Sequence, residues 1–405
     1  MRVEHLSLTN FRNYARLEVT LPPGPLLLYG ENAQGKTSLL EAIYYLATSR
    51  SVWATSDRQL LNWQAENDVL PYARLAAEAV NRHSSLVQID ITLMRQASEP
   101  DAKLKKQIRV NGLNRRQIDL LGELNVVMFL PQDLALVEGA PIERRRYLNI
   151  TLGQTDRAYA EALNNYEKVL EQRNALLRNI AIHRATSAQL TYWDEKLTEA
   201  GSVIIAGRQR LLRELEVLAQ DVHSELTGGA ETLELEYQPS FQPVGDEGGQ
   251  LSFDALGLDL NRQLTPEEIV PQFREALEAG RAREIERGMT LIGPQRDELR
   301  FHVNNHDLAL YGSRGQARTA VLAIKLAELD WMRKTIGEWP ILLLDEFIAE
   351  LDAKRRGFLL ERIDGVTQSI LTTTEREIFT PQFLSKAVQW RIHSGRIVPE
   401  HQEQP

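Results

Sequence analysis

Cysteine is absent from the 405 residues, which excludes disulfides and thiolate metal sites and leaves nothing to argue for an oxidising compartment. Long apolar runs are missing too. The longest, around Leu26 and Leu342, are too short to cross a bilayer, and Met1-Arg2-Val3-Glu4-His5 lacks the apolar core of a secretory signal. A cytoplasmic protein with no membrane partner is expected. An excess of positive charge is also lacking: Lys and Arg number 47 against 56 Asp and Glu, a net charge of -9. The field of the whole molecule therefore repels a polyanion, and any contact with nucleic acid must come from local basic patches. The remainder, 43% hydrophobic and 25% charged, suits a globular chain of two to three domains.

One stretch carries explicit chemistry: Tyr29-Gly30-Glu31-Asn32-Ala33-Gln34-Gly35-Lys36-Thr37-Ser38. Gly30 and Gly35 bracket a loop that turns backbone N–H groups inward around an anion, which glycine permits without a Cβ clash. Lys36 is placed to reach β and γ phosphates, and the Thr37 hydroxyl to bind Mg²⁺. An apolar run, Leu26-Leu27-Leu28, enters the loop like a buried strand, and Leu39, Leu40, Ile43 and Leu46 leave it at helical spacing. The helix N-terminus then points at the phosphates, so the whole run from Gly30 to Ser38, with Glu31, Asn32, Ala33 and Gln34, is a candidate nucleotide site.

Around this loop the chain alternates between strands and helices. Leu6 and Leu8, Leu17, Val19 and Leu21, and Val87, Ile89, Ile91 and Leu93 alternate as half-buried strands, and Asn111-Gly112 signals a hairpin. Residues 126–130 read as a further strand ending at Pro131-Gln132-Asp133. Over 141–230 the spacing becomes helical, with Tyr159, Leu163, Tyr166 and Leu170 on one helix and Trp193, Leu197, Ala200, Ile204, Leu211, Leu215, Leu218 and Val222 on a second, expected to pack antiparallel. Gly228-Gly229 should stop the second helix, and Gly245-Asp246-Glu247-Gly248-Gly249 reads as a surface loop. A shorter helix carries Phe273, Leu277 and Ile285. Strands at 299–303 and 308–310 flank Asn304-Asn305 as a hairpin, 317–333 is a helix, and Ile341-Leu342-Leu343-Leu344 is a buried strand ending in Asp345-Glu346.

Asp345 at that strand end suits a Mg²⁺-associated carboxylate, and Glu346 suits a base that polarises an attacking water. The pair could also simply cap the strand. Because the phosphate loop and this acidic pair must meet at one metal, the segments holding them form one domain and the helical middle is an insertion. The expected division is 1–140 and 289–405 for an ATPase head and 141–288 for the inserted lobe. Tyr311-Gly312-Ser313-Arg314-Gly315-Gln316 precedes a helix and offers a second anion site.

In this order the elements resemble the ATP-binding-cassette head: phosphate loop, a glutamine loop at Gln132, the signature Ser313-Arg314-Gly315-Gln316, Asp345-Glu346, and the dimer-contact loop Glu350-Leu351-Asp352. More narrowly the chain resembles the RecF family of recombination mediators, relatives of SMC-type ATPases. The likeness rests on Leu8-Thr9-Asn10-Phe11-Arg12-Asn13-Tyr14, on 139–148 with Arg144-Arg145-Arg146, on Gln172-Arg173-Asn174-Ala175-Leu176-Leu177, on Trp193-Asp194, on Gly293-Pro294-Gln295-Arg296-Asp297 and on 313–319. It implies an α/β fold, an ABC-type P-loop head of mixed sheets and helices with an inserted helical lobe.

The resemblance further implies ATP and Mg²⁺ held by Lys36, Thr37, Asp345 and Gln132, with Glu346 as base and Lys36 and Gln132 assisting. Ser313, Gly315, Gln316 and Asp352 would act across an ATP-dependent homodimer. It implies action on duplex DNA and at single-strand gaps together with a RecR-type partner, helping to load recombinase, with weak hydrolysis. The competing reading is a nucleotide-switched DNA-binding dimer with negligible turnover. The chain departs from the family pattern at Gln295 (usually histidine), Glu346 (usually aspartate), Asn149 (usually aspartate) and Val52-Trp53-Ala54-Thr55, which lacks an arginine. Two basic strips, Lys103, Lys105, Lys106, Arg115 and Arg116, and Arg144 to Arg146, are read either as DNA contacts or as solvated faces.

Overall fold

The computed structural model describes residues 1–65, 70–81, 84–95, 104–241 and 264–398. Lys103, the glycine-rich run at 245–249 and the tail at 399–405 lie outside the described residues. The chain forms two compact units, one of Met1–Asp133 with Glu328–Pro405, the other of Leu134–Ala327.

In the first unit, β1 (Arg2–Phe11) and β2 (Tyr14–Thr20) form a hairpin, and β3 (Gly24–Tyr29) runs into the glycine loop and helix α1 (Lys36–Thr48). Then follow β4 (Tyr72–Val80), β5 (Leu86–Met94), β6 (Lys105–Val110), β7 (Leu113–Arg115) and β8 (Val126–Phe129). An antiparallel sheet has the order β2-β1-β4-β5-β6-β7. Along β4 every second residue is buried (Ala73, Leu75, Ala77, Ala79), and Ile89, Ile91 and Leu93 do the same on β5, the alternation of a sheet with one covered face. The Asn111-Gly112 turn joins β6 to β7 with both residues at positive φ, as such a hairpin requires.

The second unit holds α2 (Ala135–Glu138), α3 (Pro141–Thr155), α4 (Arg157–Ala181), α5 (Leu190–Thr227), β9 (Leu233–Gln238), α6 (Pro266–Arg287), β10 (Glu298–Val303), β11 (His306–Asp307) and α7 (Leu308–Tyr311). Helix α8 (Arg314–Ile336) contains the boundary between the units. Helices α4 and α5 are antiparallel as expected: Arg173, late in α4, bonds Asp194, early in α5, while Tyr159, early in α4, meets Arg208 farther along α5. Gly228, at φ 69°, ends α5. One expectation fails. Residues 308–310 are the helix α7, not a strand, because the Asp307 carboxylate accepts the Ala309 N–H at 2.8 Å and starts a helical turn.

Back in the first unit come β12 (Ile341–Asp345), α9 (Ala353–Arg362), β13 (Gln368–Thr373), α10 (Pro381–Lys386), β14 (Val388–His393) and β15 (Arg396–Val398). They complete a sheet of order β15-β14-β3-β13-β12-β8, parallel except for β15. Every residue of β8, β12 and β13 is buried, as continuous apolar runs in a doubly covered parallel sheet should be. Helix α1 touches β8, β12 and β13 of this sheet and β4 and β5 of the other, so residues 39–48 are buried on all sides. The parallel strands put the ends of β3 and β12 at one edge, which brings residues 30–37 to residues 345–346.

Candidate functional site

The loop between β3 and α1 is built by its two glycines. Gly30 sits at φ 146°, and a Cβ there would lie 2.5 Å from the Ile392 carbonyl oxygen; Gly35 sits at φ 116°, with Asn13 Nδ2 2.6 Å from any added Cβ. Gly35 is also the N-cap of α1, with no side-chain cap and no acidic residue in the first turn. The helix thus presents its N–H groups and the positive end of its dipole to the loop, which is the arrangement that binds phosphate. Lys36, 3% exposed, donates to the carbonyls of Gly30 (2.7 Å) and Glu31 (2.9 Å) and lies 3.3 Å from Glu346 Oε1.

The acidic strand end closes on the same place. Thr37 Oγ1 and Thr372 Oγ1 each donate to Asp345 Oδ1 at 2.8 Å, and Thr372 Oγ1 accepts the Glu346 N–H at 2.8 Å. Burial pushes the Asp345 carboxyl above its usual range, the more so with Glu346 beside it, while the two threonine hydroxyls and Lys36 oppose the rise. A hydroxyl and a hard carboxylate side by side at a phosphate loop are the donors that Mg²⁺ takes when phosphate oxygens and water fill its other positions. Among the described residues no group of three or more His, Cys, Asp or Glu converges as a metal site. Glu346 is held at φ 49°, a strained conformation of the kind that collects at functional sites.

Asp345 and Glu346 line one cleft of about 390 Å³, together with Arg12, Asn13, residues 32–38, Trp63, Pro131 and Gln132, a volume within the range of ligand pockets. Gln132 is exposed on its wall, where the sequence places it. Arg12, Asn13 and Trp63 were not foreseen as part of the site. Arg12, at φ 51°, is clamped by Glu41 through two bonds of 2.7 Å, and Glu41 is itself buried. The run Asn10-Phe11-Arg12-Asn13 carried that signal; Trp63 stands in no recognisable motif.

Other expected residues do not line this cleft. Ser313, Gly315 and Gln316 belong to the second unit, where the Ser313 N–H donates to Gln316 Oε1 and the Gln316 N–H to Ser313 Oγ, a reciprocal cap on α8. Asp352 caps α9 by accepting the Arg355 N–H at 3.0 Å, which holds its carboxyl below the usual range. Part of the basic strips turns inward: Arg144 makes a two-point pair with Glu298, and Lys106 bonds Ser49 and pairs with Asp57 over the Tyr45 ring. The departures at 149 and 295 are absorbed as well. Asn149 Oδ1 accepts from Tyr159 (2.7 Å) and Arg208 (2.9 Å), and Gln295 bonds Tyr166.

A family model described as the RecF/RecN/SMC N terminal domain matches residues 2–391. The DNA replication and repair protein RecF of Chloroflexus aurantiacus is 42% identical over 98% of this chain and 99% of its own length. That of Herpetosiphon aurantiacus is 43% identical over 98% and 100%. A solved structure of the recombination mediator protein RecF-ATP in the RecFOR pathway has a TM-score of 0.81 and 28% identity, covering 98% of this chain and 96% of that one. The likeness therefore runs through both segments that build the cleft as well as the lobe between them, and the chain belongs to the RecF family, with an ABC-type P-loop ATPase head of mixed sheets and helices and an inserted helical lobe.

Proposed function

We propose that this protein is an ATP-dependent DNA-binding protein of recombinational repair and replication restart, which hydrolyses ATP weakly and forms an ATP-bound dimer on duplex or gapped DNA. The observation that carries the reading is the Thr37–Asp345 bond of 2.8 Å between residues 308 positions apart. It unites a phosphate cradle with an acidic strand end, the two halves that phosphoryl transfer needs. The names of the relatives, DNA replication and repair protein and recombination mediator protein in the RecFOR pathway, support DNA as the target; a RecR-type partner and the loading of recombinase complete the proposal. No described helix is long and apolar enough to cross a membrane, and we place the activity in the cytoplasm.

Residues 30–38 bind the phosphates, and Lys36 exchanges the Gly30 and Glu31 carbonyls and Glu346 for phosphate oxygens. Thr37, Asp345 and Gln132 hold Mg²⁺, which when bound neutralises charge on the β and γ oxygens. Glu346, released from Lys36, takes the proton of a water as its oxygen attacks the γ phosphorus and ADP leaves. Ser313, Gly315, Gln316 and Asp352 act on the nucleotide of the other copy. The head comprises 1–140 and 289–405, and the lobe 141–288.

Glu346→Gln should retain ATP binding while phosphate release falls about 10²- to 10⁴-fold, as expected when a general base is lost. Turnover that is negligible beforehand and unmoved by the change would instead mark a nucleotide-switched DNA-binding dimer. Ser313→Arg should leave ATP binding intact and abolish ATP-dependent dimers in light scattering. Normal dimerisation in that variant refutes action across the interface.

A further inference from the structure

We infer that Trp63 is the platform on which the purine ring of the bound nucleotide stacks. All six tryptophans lie within the described residues, and Trp63 stands out among them at 82% exposed. It is not loose surface. Asn62 is pinned from both sides: its N–H donates to the Asn10 carbonyl at 2.9 Å, and its Nδ2 donates to the Arg12 carbonyl at 2.7 Å. The Gln64 N–H then closes a turn on Asn62 Oδ1 at 2.9 Å, and Leu61 and Ala65 on either side are buried. The backbone is thereby fixed to the end of β1 and to the turn after it that holds Arg12, and the indole is left at the wall of the cleft.

A large apolar ring held in water on a rigid support forgoes burial, and it recovers that loss when a flat aromatic partner covers it. The phosphates occupy the loop at residues 30–38, so the base is the part of the ligand left to meet this wall. Stacking needs no fixed hydrogen-bond pattern and grows with ring area, which favours a purine. The inference rests on the nucleotide-binding reading above and adds to it the group that grips the base.

The test uses the full chain and calorimetric titration with MgADP and, as a ligand without a base, magnesium pyrophosphate. ADP keeps ATP-driven dimerisation out of the readout. Trp63→Ala should weaken MgADP about five- to hundred-fold while moving pyrophosphate by less than about twofold, and Trp63→Phe should restore most of the loss. Tryptophan emission should also change as ADP is added to the unaltered protein and stay flat in Trp63→Phe. If Trp63→Ala binds ADP as the unaltered protein does, or loses ADP and pyrophosphate equally, the assignment is overturned; a residue serving only a contact with a second copy gives the first of these results. If the unaltered protein binds neither ligand, the nucleotide reading itself falls.

Discussion

At the phosphate loop Lys36 is held by two backbone carbonyls and by one oxygen of Glu346, whose side chain is 36% exposed. In the helical lobe Arg173, with no exposed surface, is held differently. It bonds Asp194 and Thr290 and pairs with Glu284, each at 2.7 Å. Asp194 is in turn bound by Arg281, Glu284 accepts the Leu291 N–H, and Thr290 donates to Asn174. Both are buried cations with at least one partner far away in sequence. The partners of Lys36 are neutral or reach water, so a phosphate can replace them at little cost. Those of Arg173 are anchored by third residues, and Arg173 and Arg281 balance Asp194 and Glu284. A site that must accept a ligand keeps exchangeable partners, while one that only joins helices saturates them.

The largest effect that would sharpen this contrast is on stability. Arg173→Ala takes the Arg173 pair from both Asp194 and Glu284 and leaves Asp194 with Arg281; it should cost about 3–5 kcal/mol, the usual loss when one partner of a buried pair is removed. Lys36→Ala leaves Glu346 and the Gly30 and Glu31 carbonyls, all on residues that water can reach, and should cost no more than about 1 kcal/mol while abolishing ATP binding. Urea denaturation of the two variants measures both. Equal losses would break the comparison, since the loop would then be as saturated as the lobe.

The difference between these clusters also explains what the sequence allowed to be read. The glycine loop, the strand before it, the helix after it and the Ile341–Asp345 strand are local patterns whose chemistry lies in adjacent residues, and each falls where its pattern places it. The lobe was legible as two antiparallel helices, because apolar spacing reports a buried face. It was not legible which charges enter that face. Arg173, Asp194 and Arg208 are buried, whereas Leu163, Leu170, Trp193 and Leu218 are only partly covered. Arg144 shows why: it sits in an arginine run that looks like a DNA contact, yet its partner Glu298 is 154 residues away. Residues 308–310 were missed for a local reason, since one Asp307 side chain turned an apolar alternation into a helix. Arg12 and Trp63 join the cleft only through the pairing of β1 with the chain near Asn62.

A smaller effect separates the two regions by the sign of their pH dependence. In the second unit Glu298 is held below the usual carboxylate range: burial acts against this, but its bonds to Arg144 and the Leu299 N–H and the charges of Arg144 and Arg300 outweigh it. It contributes stability that is present above its ordinary value and lost as acid protonates it. Asp345 is raised instead, chiefly by burial. Between its ordinary value of 3.8 and its higher folded value the native chain binds more protons than the unfolded one, so stability falls as pH rises through that window and the deficit persists above it. Asp345→Asn keeps an oxygen for Thr37 and Thr372 and has no charge to desolvate. Without ligand it should be more stable than the unaltered protein at neutral pH, with the gap closing as the pH falls to the ordinary aspartate value. Mg²⁺ and ADP should reverse the order at neutral pH, because the carboxylate then has the cation that its burial anticipates and asparagine holds it less well. Urea midpoints over the pH series, with and without MgADP, test this. An Asp345→Asn curve that parallels the unaltered one throughout would mean that Asp345 is as fully satisfied by its threonines as Glu298 is by its arginine.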